Sequence, residues 1–115
     1  MATVEARLLA TESEESVKRA ILRLFPGTEL RNAEGRMEGE CDLVNFFELV
    51  RRQQARASFL AVARSNASGR ETFLELNKTA ALAGIVAVDA GSPMGPIRVR
   101  APLQEFEEGF NNRPQ

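Results

Sequence analysis

The 115-residue chain has no histidine, no tryptophan and no tyrosine, and it has a single cysteine, Cys41. Each absence closes a class of chemistry. Histidine is the usual general base near neutral pH and the commonest metal ligand. Without it, Ser-His-Asp and Cys-His catalysis cannot be assembled within one chain. With only one cysteine as well, a zinc site of the usual Cys/His kind is excluded. One cysteine forms no intrachain disulfide, which fits a reducing cytoplasm. Neither GxxxxGK[ST] nor GxGxxG occurs, so no nucleotide cofactor is implied. The carboxylate pairs Glu14/Glu15, Glu38/Glu40 and Glu107/Glu108 fall in a helix cap, a solvent-facing strand and the tail. None has the apolar surroundings that tune a catalytic acid. We therefore expect no enzyme, no cofactor, no metal and no small-molecule substrate. Long apolar runs are missing too. The longest nearly uncharged stretch, residues 79–88, is far short of the ~20 residues of a membrane helix. No signal peptide is read at the start. A cytoplasmic protein with no membrane partner is the expectation.

What is present is ordinary for a globular protein: 43% hydrophobic and 27% charged residues. The length suits one core. We expect a single domain over residues 1–102 and an acidic, then polar, tail over 103–115. Net charge is −1 and the isoelectric point is near 5.6. Basic RNA-binding domains run above about 9, so any nucleic-acid surface here has to be a local patch. The cations are thirteen arginines and two lysines, Lys18 and Lys78. Arginine suits bidentate phosphate contacts better than lysine does.

Residues 3–10 alternate Val4, Ala6, Leu8 and Ala10 against polar neighbours and predict a half-buried strand. "TESEESVKRAILRLFPG" follows. Thr11 with Glu14 has the capping-box form, and Ser13 is the alternative cap. Val17, Ile21, Leu24 and Phe25 make one apolar stripe, which Pro26-Gly27 ends. Residues 28–40 read as a hairpin turning at Ala33-Glu34-Gly35, with Gly35 at positive φ. Asp42 caps a long helix over 43–65. Its first half buries Leu43, Phe46, Phe47 and Val50, but the same phase then reaches Gln54, Ala57 and Ser58. Either the helix breaks near 53–57, or Phe59, Leu60 and Val62 form a helix–helix or homodimer contact. Residues 70–77 predict a strand and "KTAALAG" a helical turn. "IVAVD" (85–89) predicts a short central strand and 96–101 a last one. The tail is either a helical turn anchored by Phe106 and Phe110 or frayed. The fold class is α+β: a two-layer sandwich with two main helices on one face of a mostly antiparallel sheet, in the order β-α-β-β-α-β-β-β.

Among candidate contacts, Arg51, Arg52, Arg56 and Arg64 form the one dense basic region. No acidic residue lies between Arg51 and Arg70. Lys78, Arg98 and Arg100 form a second group. "GSPMGPIRVR" (91–100) looks like a loop that could cradle a ligand. Its two prolines remove N–H donors, and it leads into a strand rather than a helix, so a rigid structural turn is favoured. Cys41 reads as a small, partly buried side chain.

Four segments in series, "ILRLFPGTEL", "LVRRQQARASFLAVAR", "FLELNKTAALAG" and "SPMGPIRVR", resemble uncharacterised protein family 0201, small archaeal proteins predicted to bind RNA. The resemblance spans residues 3–101. It implies a fold similar to large-subunit ribosomal protein five and, by that analogy, contact with structured RNA. It brings no catalytic residue and no cofactor. The acidic balance departs from what an RNA binder would show. With so few aromatics, the RNA contact it implies is to backbone and shape.

Overall fold

A computed structural model describes residues 2–111. Five strands form one fully antiparallel sheet: β1 (Ala2–Arg7), β2 (Arg31–Asn32), β3 (Arg36–Cys41), β4 (Glu71–Asn77) and β5 (Pro96–Pro102), in the order β2-β3-β1-β5-β4. Five helices join them: α1 (Glu14–Leu24), α2 (Val44–Arg52), α3 (Arg56–Ser65), α4 (Lys78–Leu82) and α5 (Leu103–Asn111). The α+β class and the one-faced arrangement follow the expectation. Alternate residues of every long strand face the helices: Val4 and Ala6, Ile97 and Val99, Leu74 and Leu76 are all buried. The period of two leaves the opposite face to Thr3, Glu5, Arg98, Arg100, Phe73 and Glu75.

Local chemistry explains most of the boundaries. Ser13, not Thr11, caps α1, its hydroxyl accepting from the Ser16 N–H at 3.2 Å. Asp42 accepts from the Val44 N–H at 2.7 Å at the start of α2. In the hairpin, Glu34 and Gly35 both take positive φ, 52° and 82°, the signature of a type I′ turn whose twist matches the strands.

Of the two alternatives for residues 43–65, the break within 53–57 is the one found: Gln54 adopts φ 56°, and α3 restarts with a new phase. Phe59 and Leu60 therefore point into the chain's own core, with Val62 half-buried against it, and the break takes the place of the dimer contact. The 85–89 segment is not a central strand. It runs outside β4 at the sheet edge, joined by one bridge, Leu76 to Val88, and by the Asp89 N–H to the Glu75 carbonyl. Val86 alone is buried there, while Ile85 and Val88 are about half exposed. Finally, the domain does not stop at 102. Residues 103–111 form α5, and Phe106 and Phe110 are fully buried; residues 112–115 lie outside the described part.

Those last phenylalanines complete an aromatic cluster. Phe46 lies 5.6 Å from Phe25, 6.1 Å from Phe59, 6.5 Å from Phe106 and 5.9 Å from Phe110, centroid to centroid. Gly109 lets α5 approach α2 this closely: a Cβ there would sit 2.1 Å from the Phe47 ring. Six of the seven phenylalanines are used in this way, and Phe73 alone sits on the other face of the sheet.

Candidate functional site

The first basic group is split by the helix break. Arg51 and Arg52 close α2, where cations meet the negative helix end, and Arg56 opens α3 four residues on. The Gln54 turn joins them into one corner. That turn is held by Gln53, whose amide donates to the Val86 carbonyl at 2.7 Å and whose carbonyl accepts from the Val86 N–H at 2.8 Å. Glu48 accepts from both Arg51 and Arg52, and hydrogen bonding from Arg51 holds its carboxyl below the usual carboxylate range. Arg56 donates to the Phe110 carbonyl at 3.3 Å. The corner thus carries three arginines and one carboxylate, facing solvent. Arg64 is not part of it. It lies at the far end of α3, two donors on the Glu107 carboxylate at 2.9 and 3.1 Å.

Lys78 is no surface amine. It is 4% exposed. Its Nζ donates to the Arg7 carbonyl at 2.6 Å, the Met94 carbonyl at 2.8 Å and the Glu12 carboxylate at 2.9 Å. An ammonium has three donors, and all three are used. Lys78 therefore clips the end of β1, the loop before α1 and the 91–95 turn together, and has nothing left for an anion. The same contact settles the role of "GSPMG". Gly91 and Gly95 take positive φ, the Gly95 N–H returns to the Ser92 carbonyl at 3.0 Å, and Met94 supplies an acceptor to the clip. It is a structural turn.

Arg98 and Arg100 lie on the uncovered sheet face, away from the α2–α3 corner. The register arranges that face in rows. One row runs Glu40, Thr3, Arg100, Phe73 across β3, β1, β5 and β4. The next runs Arg31, Glu38, Glu5, Arg98, Glu75 from β2 to β4. Arg98 bonds Glu75 at 2.8 Å and lies over the Phe73 ring, 4.6 Å from its centroid. Arg36 bonds Glu5 at 3.0 Å, and Arg31 bonds Glu38 at 3.4 Å. Between the Arg98/Arg100 side and the Glu29–Arg31 segment lies a shallow groove of about 820 Å³. The face is a mixture of signs, not a basic field. Cys41, at the end of β3, is half-buried. Burial, with the Glu105 and Asp42 carboxylates nearby, pushes its thiol up to about 12, so it is neutral and a poor nucleophile. Among the described residues, no group of acidic or cysteine side chains could hold a metal ion, and no helix is long and apolar enough to cross a membrane.

No family model matches the chain. A UPF0201 protein of Thermococcus onnurineus is 33% identical over 104 residues, covering 84% of this chain and 77% of that protein. The chain belongs to the UPF0201 family. Its known relatives here are archaeal. A crystal structure of a UPF0201 protein superposes with a TM-score of 0.81 at 28% identity, covering 98% of this chain and 84% of the other. In Archaeoglobus fulgidus, a protein named UPF0200/UPF0201 is 31% identical over 99 residues, which cover 84% of this chain but only 31% of that protein. The UPF0201 domain therefore also occurs there as part of a longer polypeptide.

Of the seven residues predicted to meet phosphates, three share the α2–α3 corner, one is buried, one is held at the far end of α3, and two lie on the opposite side of the sheet. Sequence reasoning passed over Glu12 and set Glu40 aside as half of a solvent-facing carboxylate pair. Glu12 carried no signal beyond its place before a helix. Glu40 belongs to an alternating strand, and its position opposite Thr3 follows only from the register.

Proposed function

We propose that this UPF0201 protein is a non-enzymatic RNA-binding domain that meets phosphates through Arg51, Arg52 and Arg56. The observation that carries this reading is the α2–α3 corner: three solvent-facing arginines on either side of one left-handed residue, against a single carboxylate. Exposed ion pairs such as those to Glu48 are weak, so exchanging that carboxylate for a phosphate costs little. Guanidinium groups offer the planar fork that phosphate accepts. The likeness to large-subunit ribosomal protein five belongs to the same proposal and weighs less than the corner. Lys78, Arg98 and Arg100 drop out of the phosphate set on their surroundings, and Arg64 on its distance along α3. The test is fluorescence anisotropy with a labelled, structured RNA at low salt. The native protein should bind, and Arg51→Gln/Arg52→Gln/Arg56→Gln should bind roughly tenfold or more weakly. Equal binding by both proteins ends the corner's role, and no binding by either ends the RNA reading.

A second reading, an interaction domain that works beside another protein, is favoured by the Archaeoglobus fulgidus relative, in which the matched region is under a third of the chain. Its test is co-purification of this protein with a separately expressed UPF0200 partner.

A further inference from the structure

We propose that the uncovered sheet face is a self-association surface that takes a second copy of this chain. The proposal is independent of the RNA reading, which uses the other side of the molecule. It rests on the arrangement of charge across the strands. A two-fold interface brings the same patch of both copies together, so that patch has to be complementary to itself. Take the two-fold axis along β1, the central strand of the order β2-β3-β1-β5-β4. The axis exchanges β3 with β5 and β2 with β4.

The charges on those strands are opposite in sign. Glu40 on β3 comes to face the second copy's Arg100 on β5, because both are paired with Thr3 in the same row. In the next row Glu38 faces the second copy's Arg98, and Arg31 faces its Glu75. Each match occurs twice. The face also says which groups are waiting. Glu38, Arg98, Arg31 and Glu75 already have partners within the chain. Among the described residues of this face, Arg7, Glu40, Glu71 and Arg100 are exposed and have no ion-pair partner, and of these the axis brings Glu40 and Arg100 together as opposite charges. Glu5 lies on the axis, where Arg36 neutralises it. Arg7, at the strand end, meets its own copy and opposes the association. The crossing of aligned sheets, about 30°, spreads the strand ends apart and weakens that repulsion. A basic polymer-binding face would carry one sign throughout; this one alternates.

The experiment is sedimentation equilibrium on the full chain. The native protein should approach twice its 12.7 kDa. Arg100→Glu and Glu40→Arg, each placing like charges in contact, should each sediment at the single-chain mass. The combined swap Glu40→Arg/Arg100→Glu restores opposite charges across the axis and should return to the doubled mass. Both residues are exposed, and circular dichroism confirms the fold of each variant. Should a variant fail to fold, a salt series on the native protein takes its place: association through these pairs weakens as salt rises. A native monomer, single swaps that still associate, a double swap that stays single, or salt-insensitive association overturns the proposal. So does loss of RNA binding on Arg100→Glu with the mass unchanged.

Discussion

Lys78 and the α2–α3 corner put the same charge into opposite surroundings. Lys78 is enclosed, spends all three donors inside the chain and holds three segments together. Arg51, Arg52 and Arg56 sit in solvent, and the groups that hold them, Glu48 and one backbone carbonyl, are easily exchanged. The difference teaches that a cation's role is decided by how much of its hydrogen-bonding capacity the fold consumes. A buried pair resists removal of one partner, because the other charge is stranded. A surface pair does not.

Breaking the clip should have the largest effect. Lys78→Met leaves the Glu12 carboxylate buried without its cation and should cost about 3–5 kcal/mol, read from the urea midpoint. Adding Glu12→Leu should recover most of that loss, because neither charge is then stranded. If Lys78→Met alone is harmless, the clip is not what holds the turn. Next comes the packing of α5 against α2. Gly109→Ala drives a methyl group into the Phe47 ring, and overpacking of this kind should cost about 1–3 kcal/mol in thermal or urea unfolding. At the corner itself, Arg51→Gln/Arg52→Gln should leave the urea midpoint almost unchanged while weakening RNA binding. A large stability loss there would make the corner a structural element like Lys78.

The smallest effect concerns Cys41. Its folded thiol keeps its proton from the ordinary value of 9.0 up to about 12. The raised value favours the folded state below about pH 9, and that contribution is lost as pH rises through 12. Iodoacetamide at pH 9 should therefore react slowly with the native protein and quickly in denaturant. Equal rates would show the thiol to be accessible and unperturbed.

Much of the fold was legible. The stripe of Val17, Ile21 and Leu24, the alternation of the first strand and the Ala33-Glu34-Gly35 turn all follow from local periodicity and turn chemistry, and each appears as read. The rest was legible only in part. The loss of apolar phase at Gln54, Ala57 and Ser58 marks a break near 53–57, but Gln54 takes a left-handed conformation that glycine or asparagine usually marks, so nothing local says where the chain turns or that Phe59 and Leu60 return to the same core. Phe106 and Phe110 stand four apart, the spacing of one helix face, and the glutamates between them leave an anchored helix and a frayed tail both open; the anchored helix is the one found. The apolar run at 85–89 looks central because apolar density cannot tell a middle strand from an edge cover. The candidate site was less legible than the fold. Lys78, following an asparagine at a strand end, reads as solvated until Glu12 and Met94 are brought to it from distant parts of the chain. Glu40 and Arg100 acquire a meaning only through a register that pairs both with Thr3.

The measurement that tests the account most directly is the salt dependence of RNA affinity for the native protein and for Arg51→Gln/Arg52→Gln/Arg56→Gln. Each phosphate contact contributes about 0.7–0.9 to the slope of log affinity against log salt, so losing three should flatten the slope by about 2–3. That flattening, with unfolding unchanged, is the predicted result. Identical slopes, or no binding at any salt, would contradict the assignment of the corner as the phosphate-contacting surface.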